Sequence, residues 1–443
     1  MKLSNTLKNP LITGTLLLSG AGVGSRFMGF FFRIFLSRTI GAEGLGIYQL
    51  VMPVLTLTFA ATASGFQTAI SKFVAESKIN AKGYLISGLI VSCAISAILS
   101  ILLFKNSIWI AVHIFANAKC YSLIQIAAYS IVPSTFHACI NGFYYGQKKA
   151  LMPALSQLCE QIIRISSVYL IYFILSSNGE PLSPDHAMWG ITFGEIAGMI
   201  FFINVMLIKN PLKELPAPSS SKSYAAYIIP LLAITIPITA NHLLQNICMS
   251  VENILIPRQL CAFGLSDSEA LSVYGILSGV ALPVILFPGV ITNSLSVLLL
   301  PKISEQYASN DISKLSATLK KAIRYGLLLG FGFTFIFLIT GSFIGENVFA
   351  SESASGFICK LCWLCPFMYT NSLLASILHG LGRPGYVLLV NMLSSGIRIF
   401  IIIFLVPKYG IDAILWGMLI AQIYTSIAMM YELKHYSSDN NSI

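Results

Sequence analysis

Two arginines, Arg26 and Arg33, lie seven residues apart in the first long apolar stretch of the chain. Seven residues make two turns of an α-helix, so both guanidinium groups leave one face, about 10 Å apart along the axis. A charge at bilayer depth is costly, and such residues usually face a protein interior or a water-filled cavity. Guanidinium groups match phosphate oxygens with paired N–H donors. The spacing therefore predicts the lining of a path for an anionic, phosphorylated substrate.

Other ionisable residues lie in later apolar stretches. Glu160 precedes Arg164 by four residues, the favourable order for an ion pair on one helix, and this predicts a structural pair. Arg398 has a serine at that spacing instead, so it either meets a substrate or pairs with Glu195 or Glu252. If Arg26 and Arg33 are structural instead, the acids available as their partners are Glu160, Glu195 and Glu252.

A polar stripe follows around residue 245. His242, Gln245, Met249 and Glu252 recur at helical spacing and predict one face of a membrane helix. Such a face meets either a cleft or a neighbouring helix, where it would form a hydrogen-bond ladder. His137 and His379 are isolated on other stretches, and a lone histidine is a weak indication of proton transfer.

The elements that position these residues are membrane helices. The chain has 443 residues, of which 56% are hydrophobic and 10% charged, with a mean hydropathy of +0.79. A soluble domain of this size needs far more polar surface, so the composition predicts an all-α polytopic membrane protein. About twelve apolar stretches are long enough to cross a bilayer: 11–37, 47–72, 83–104, 120–145, 152–176, 186–208, 225–257, 271–301, 317–341, 356–381, 384–406 and 411–433.

The basic residues set the predicted orientation. With the amino terminus inside, seventeen of the 27 lysines and arginines fall in cytoplasmic segments, five fall outside and five lie within spans. This positive-inside bias places both termini in the cytoplasm. The net charge of +10 follows from topology, and no nucleic-acid partner is expected.

A charged, proline- and serine-rich segment interrupts the apolar pattern near the midpoint and predicts a cytoplasmic linker over 209–224. It separates two predicted domains, 1–208 and 225–443, each a bundle of six helices. Weak internal repetition relates the halves: Arg164 matches Arg398, and Trp189 matches Trp416. Because each half has an even number of spans, the second half begins on the same side of the membrane as the first. The repeats are therefore parallel, an arrangement typical of transporters with a central cleft.

Three short segments carry a resemblance: GAEGLGIY at 41–48, LLLPKISE at 298–305 and HGLGRP at 379–384. They resemble the polysaccharide-biosynthesis branch of the multidrug/oligosaccharidyl-lipid/polysaccharide exporter (MOP) superfamily, and within it sporulation proteins of spore-forming Firmicutes. The resemblance implies a fold like that of drug exporters and lipid II flippases, and alternating access. It implies that lipid-linked cell-wall precursors are flipped across the plasma membrane, with cell-wall synthesis proteins as further partners.

The resemblance also implies roles for residues. Related flippases bind the precursor through cationic residues, which assigns Arg26, Arg33 and Arg398 to the anionic lipid-linked saccharide. Drug exporters use an acid on the equivalent seventh helix for cation coupling, which makes Glu252, with His242 and Gln245, the candidate for H⁺ or Na⁺. No cofactor or metal is expected.

Three alternatives stay open. One is a cation-coupled multidrug exporter of the same superfamily, which would favour an acidic cavity. Another is a membrane glycan polymerase or ligase, and a third is a scaffold that does not transport. No phosphate-binding loop, zincin motif or G-x-S-x-G motif is found, so the chain is not expected to be an enzyme.

Overall fold

The computed structural model describes residues 10–77, 79–209, 224–309 and 312–439, and all regular structure within these ranges is helical. The prediction of an all-α polytopic membrane protein is confirmed. The longer helices, numbered here in chain order, are α1 (Pro10–Phe59), α2 (Gly65–Glu76), α3 (Ala81–Lys105), α4 (Cys120–Gly146), α5 (Leu151–Ser177), α6 (Pro184–Lys209), α7 (Ala225–Phe263), α8 (Asp267–Ile276), α9 (Leu282–Leu286), α10 (Gly289–Ala308), α11 (Ile312–Phe343), α12 (Glu352–Leu361), α13 (Cys365–Gly380), α14 (Pro384–Phe404) and α15 (Ile411–Asp439).

Eleven helical segments in these ranges are long and apolar enough to span a membrane, one fewer than the predicted twelve. The difference lies at the amino terminus, where the first two predicted spans belong to one segment, Gly20–Glu76. This 57-residue segment consists of two helices that meet at a kink, so the two predicted spans are joined without a loop between them. Within α1 the backbone departs from helical geometry at Gly41, with φ 71° and ψ 178°, a conformation open mainly to glycine.

Proline acts differently in the two long predicted spans. The span predicted over 271–301 is divided, since α9 ends at Leu286 and α10 begins after Pro288. The helix α7 runs without interruption through Pro237 over 39 residues. The connection from α7 to α8 is closed by a capping box, in which Ser266 Oγ accepts from Glu269 N–H and the Glu269 carboxylate accepts from Ser266 N–H.

The chain forms two compact units. The first contains Met1–Phe32 and Ile47–Ile247, and the second contains Arg33–Gly46 and Cys248–Ile443. The core of the first unit is built from α2, α3 and α4 with Phe202 and Leu231. The core of the second is built around α13, with residues of α10, α14 and α15 packed on it.

These units differ from the predicted domains in two segments: 33–46 belongs to the second unit, and 225–247 belongs to the first. The predicted linker falls almost wholly outside the described residues. The domain boundaries at 208 and 225 therefore stay a prediction.

Candidate substrate and cation-coupling residues

Arg26 and Arg33 lie in one uninterrupted part of α1, before its break at Gly41. The Arg26 side chain is exposed, and it makes no hydrogen bond or ion pair with any residue that the structure describes. Arg33 is half-buried. A third arginine of the same helix, Arg38, donates from Nε to Val348 O at 2.9 Å and so satisfies a carbonyl at a helix end. Arg26 is thus a guanidinium group with its donors available.

Arg398 on α14 meets Glu252 on α7 in a two-pronged ion pair. Its Nε donates to Glu252 Oε2 at 2.8 Å, and Nη2 donates to Oε1 at 2.9 Å. Two serines of α14 complete the site, Ser394 at 3.2 Å from Nη1 and Ser395 at 2.9 Å from Nη2. The two charged side chains are 20% and 12% exposed, so the pair is largely buried. One of the two acids offered for Arg398 by the sequence is therefore its partner in the structure.

The polar stripe of α7 does not form a single site. The histidine at its start, His242, lies with Nδ1 2.9 Å from Ser64 Oγ. The exposed Gln245 donates from Nε2 to Asn241 Oδ1, one turn earlier, at 3.1 Å. Among the three candidate coupling residues, only Glu252 meets a permanent charge within the described residues.

The predicted contact between Glu160 and Arg164 is present on α5, but the pair is part of a larger cluster. Glu195 on α6 brings Oε1 to 3.7 Å from Arg164 Nη2 and Oε2 to 3.7 Å from His137 Nδ1 on α4. Nitrogen and carboxylate atoms of His137, Glu160 and Glu195 all lie within 4.8 Å of one another, a spacing that suits a bound cation. Sequence reasoning treated His137 as isolated and missed this cluster.

Small residues on α6 let α4 and α5 pack close enough to α6 for the cluster to form. Glycines at 190, 194 and 198 recur every four residues and face α5 and α4. A Cβ atom at Gly194 would lie 3.0 Å from Glu160 O, and one at Gly198 would lie 3.3 Å from His137 Nδ1. Such stripes let membrane helices approach closely. This G-x-x-x-G-x-x-x-G pattern, with Glu195 inside it, is the sequence signal that could have located the cluster.

Comparison with solved structures places the fold. The lipid II flippase MurJ, in an inward closed conformation, matches with a TM-score of 0.74 at 17% identity, over 95% of this chain and 87% of that one. An inward-facing multidrug resistance MATE family transporter of the MOP superfamily matches with a TM-score of 0.72 at 14% identity, over 94% and 96%. The predicted likeness to drug exporters and lipid II flippases is confirmed at the level of fold.

The fold is that of a multi-pass helical membrane protein, and it is shared with these two transporters. The chain belongs to the polysaccharide biosynthesis protein family, which matches residues 11–307. It is 26% identical to stage V sporulation protein B of Bacillus subtilis (strain 168) over 414 residues, or 91% of this chain and 80% of that protein. The resemblance found in the sequence is thereby confirmed.

Proposed function

We propose that this protein flips an anionic, lipid-linked saccharide precursor of the cell envelope across the plasma membrane by alternating access. The observation that carries the proposal is Arg26, an accessible guanidinium group on an apolar helix with no partner among the described residues. A cationic side chain inside a membrane costs free energy, so such residues usually have a function. Membership of the polysaccharide biosynthesis protein family and the likeness to a lipid II flippase support the same class of substrate.

The substrate's pyrophosphate group is the part that arginine recognises. The Arg26 guanidinium group offers paired N–H donors to phosphate oxygens, and the spacing of seven residues assigns Arg33 to the same face of the helix. The substrate is a polyprenyl pyrophosphate carrying sugars, similar to lipid II, and its tail stays in the bilayer during transfer. A cationic drug would be repelled by the same residues, which separates this proposal from a multidrug exporter.

Arg398 can bind phosphate oxygens of the substrate when its pair with Glu252 opens. Four of the five guanidinium N–H groups of Arg398 are used by Glu252 and the two serines. A proton or Na⁺ at Glu252 would neutralise the carboxylate. The Arg398 guanidinium group would then be released to bind phosphate oxygens. Cation uptake at Glu252 and anion binding at Arg398 are then linked by one exchange of partners, with His242 and Gln245 as secondary candidates on α7.

The membrane potential favours export of such a head group. Moving one elementary charge through 100 mV is worth about 2.3 kcal/mol. Outward transfer of an uncompensated dianionic pyrophosphate would gain roughly twice that amount. Return of the empty, cationic protein opposes part of the gain, and a bound cation at Glu252 changes that balance.

The test is flipping by the full chain in vesicles. Purified protein is reconstituted with a defined polyprenyl pyrophosphate-linked saccharide whose outward transfer is followed with an impermeant enzyme or lectin. Transfer above the rate of protein-free vesicles is the expected result, and efflux of a cationic dye is expected to stay at background. Dye efflux without saccharide transfer would reject the flippase in favour of a drug exporter.

The cellular setting follows the relatives. The similarity to stage V sporulation protein B supports a role in envelope or spore-cortex synthesis at the plasma membrane, alongside cell-wall synthesis proteins. Both termini are proposed to lie in the cytoplasm, from the positive-inside bias.

A further inference from the structure

The cluster around His137 in the first unit has no role in the flipping scheme above. It joins three helices: His137 on α4, Glu160 and Arg164 on α5, and Glu195 on α6. The histidine side chain is 11% exposed and that of Glu195 is 18% exposed, so the cluster is largely buried but not sealed. Two carboxylates face one guanidinium group, which leaves a formal charge of −1 while the imidazole is neutral. One added proton would make the cluster neutral.

The hydrogen bonds around His137 define which ring nitrogen can take that proton. The amide nitrogen of Asn141 lies 2.9 Å from His137 Nε2, and Ser156 Oγ lies 3.0 Å from the same atom. An amide N–H₂ only donates, so Nε2 is the acceptor in this arrangement and the ring proton is on Nδ1. Glu195 Oε2 lies 3.7 Å from Nδ1, close enough for charge attraction but beyond hydrogen-bond distance. The vacant position for a proton is therefore Nε2.

The surroundings of Nε2 can also accept the protonated ring. Asn141 Oδ1 is buried and makes no hydrogen bond within the described part of the chain. A half-turn of the Asn141 amide exchanges its nitrogen for this oxygen and presents an acceptor to an Nε2–H group. Rotation of the Ser156 hydroxyl provides a second acceptor. Asn141 and Ser156 can therefore face His137 Nε2 either as donors or as acceptors without a change of backbone.

We propose that His137 and Glu195 form a proton-binding site in the first unit, separate from the Glu252–Arg398 pair. The proton comes from water, binds His137 Nε2 and is stabilised by the Glu195 carboxylate, so the charge of the cluster changes from −1 to zero. Its release restores the starting charge. Arg164 holds Glu160 and Glu195 in place. Phe202 packs beside the ring, with centroids 5.5 Å apart.

The role in transport rests on the proposed function, but the proton site itself does not. If the site is part of the cycle, each turnover carries one proton through His137. The flipping rate then depends on pH, and the dependence is lost when His137 is replaced by glutamine. Spectroscopy on the protein alone tests the site without any substrate.

The experiment is a pH-difference infrared measurement on the full-length protein in lipid. Between about pH 5 and pH 8, where histidine ordinarily changes its charge, the wild type should show linked imidazole and carboxylate bands. His137→Gln should lose both and Glu195→Gln should lose the carboxylate change, whereas the matched control His379→Gln should retain them. Unchanged bands in His137→Gln, or equal losses in the control, would overturn the site.

Two further arms keep the result decisive. If His137→Gln does not fold, Asn141→Leu removes the switching amide, and a smaller spectral change over the same pH interval is expected; an unaltered change contradicts the proposal. Exchange of K⁺ for Na⁺ at fixed pH should leave the carboxylate bands unmoved. A Na⁺-dependent band that Glu195→Gln abolishes would replace the proton site with a sodium site. Absence of flipping with intact bands would reject the proposed function and leave the proton site standing.

Discussion

Breaking the Glu252–Arg398 pair from either side should have unequal effects. Glu252→Leu leaves a permanent cation in a largely buried position, with only two serine hydroxyls as acceptors. Arg398→Met leaves a carboxylate, which can become neutral by taking up a proton, whereas a guanidinium group cannot lose one in a protein. We therefore expect Glu252→Leu to be the more destabilising change.

The size of each effect follows from burial. Removing one partner of a buried ion pair costs about 3–5 kcal/mol. The side chains are 20% and 12% exposed, so the pair is largely but not fully buried. We expect about 4 kcal/mol for Glu252→Leu and about 2 kcal/mol for Arg398→Met. Replacing both residues by apolar ones of similar volume is often close to neutral. The double variant should then be more stable than the sum of the singles by several kcal/mol.

Equilibrium unfolding in mixed micelles, followed by the fluorescence of the four tryptophans, measures the cycle. The matched control is Lys360–Asp412 in the same unit, a pair at 2.5 Å whose side chains are 55% and 52% exposed. The interaction free energy between Lys360 and Asp412, measured by the corresponding double-mutant cycle, should stay at about 1 kcal/mol or less. Additive effects of Glu252→Leu and Arg398→Met, or equal coupling in the two pairs, would refute the reasoning. A destabilisation by Arg398→Met that is not smaller at pH 5 than at pH 8 would refute the assumed protonation of Glu252.

Three glycine substitutions test the packing and the backbone conformation of the helices. Gly194→Val should destabilise the protein by about 2 kcal/mol or more, because even a Cβ atom there meets Glu160 O at 3.0 Å; Gly332→Ala, which has open space around it, should change stability by no more than about 1 kcal/mol. Gly41→Ala should lower the unfolding free energy by about 1–3 kcal/mol, since φ at this position is +71°. The same unfolding assay measures all three, and a neutral Gly194→Val or Gly41→Ala would contradict the packing described.

The helices were predictable because the length and hydropathy of a membrane span are properties of one segment. The same holds for Glu160 and Arg164, which share a helix turn, and their contact follows from spacing alone. The gap between the spans predicted over 11–37 and 47–72 contains the kink at Gly41, whereas the absence of a loop at this kink needed the structure.

Contacts between helices needed the structure. Arg164 and Arg398 occupy matching positions in the two halves of the sequence. Arg164 nevertheless contacts Glu195 on α6, whereas Arg398 contacts Glu252 on α7. Sequence spacing left both acids open for Arg398, because the rotation of one helix against another depends on packing along its whole length. His137 shows the same limit: it is alone in its own helix and becomes part of a charged cluster only when α6 packs against α4 and α5.

Flipping by an Arg26→Ala/Arg33→Ala variant in reconstituted vesicles tests the central claim most directly. The control is Arg324→Ala, which removes an exposed arginine from α11, outside the proposed substrate residues. With equal amounts of folded protein, we expect transfer of the lipid-linked saccharide to fall to the protein-free rate in the double variant and to persist in the control. Wild-type transfer by the double variant would contradict the assignment of these two guanidinium groups to the substrate.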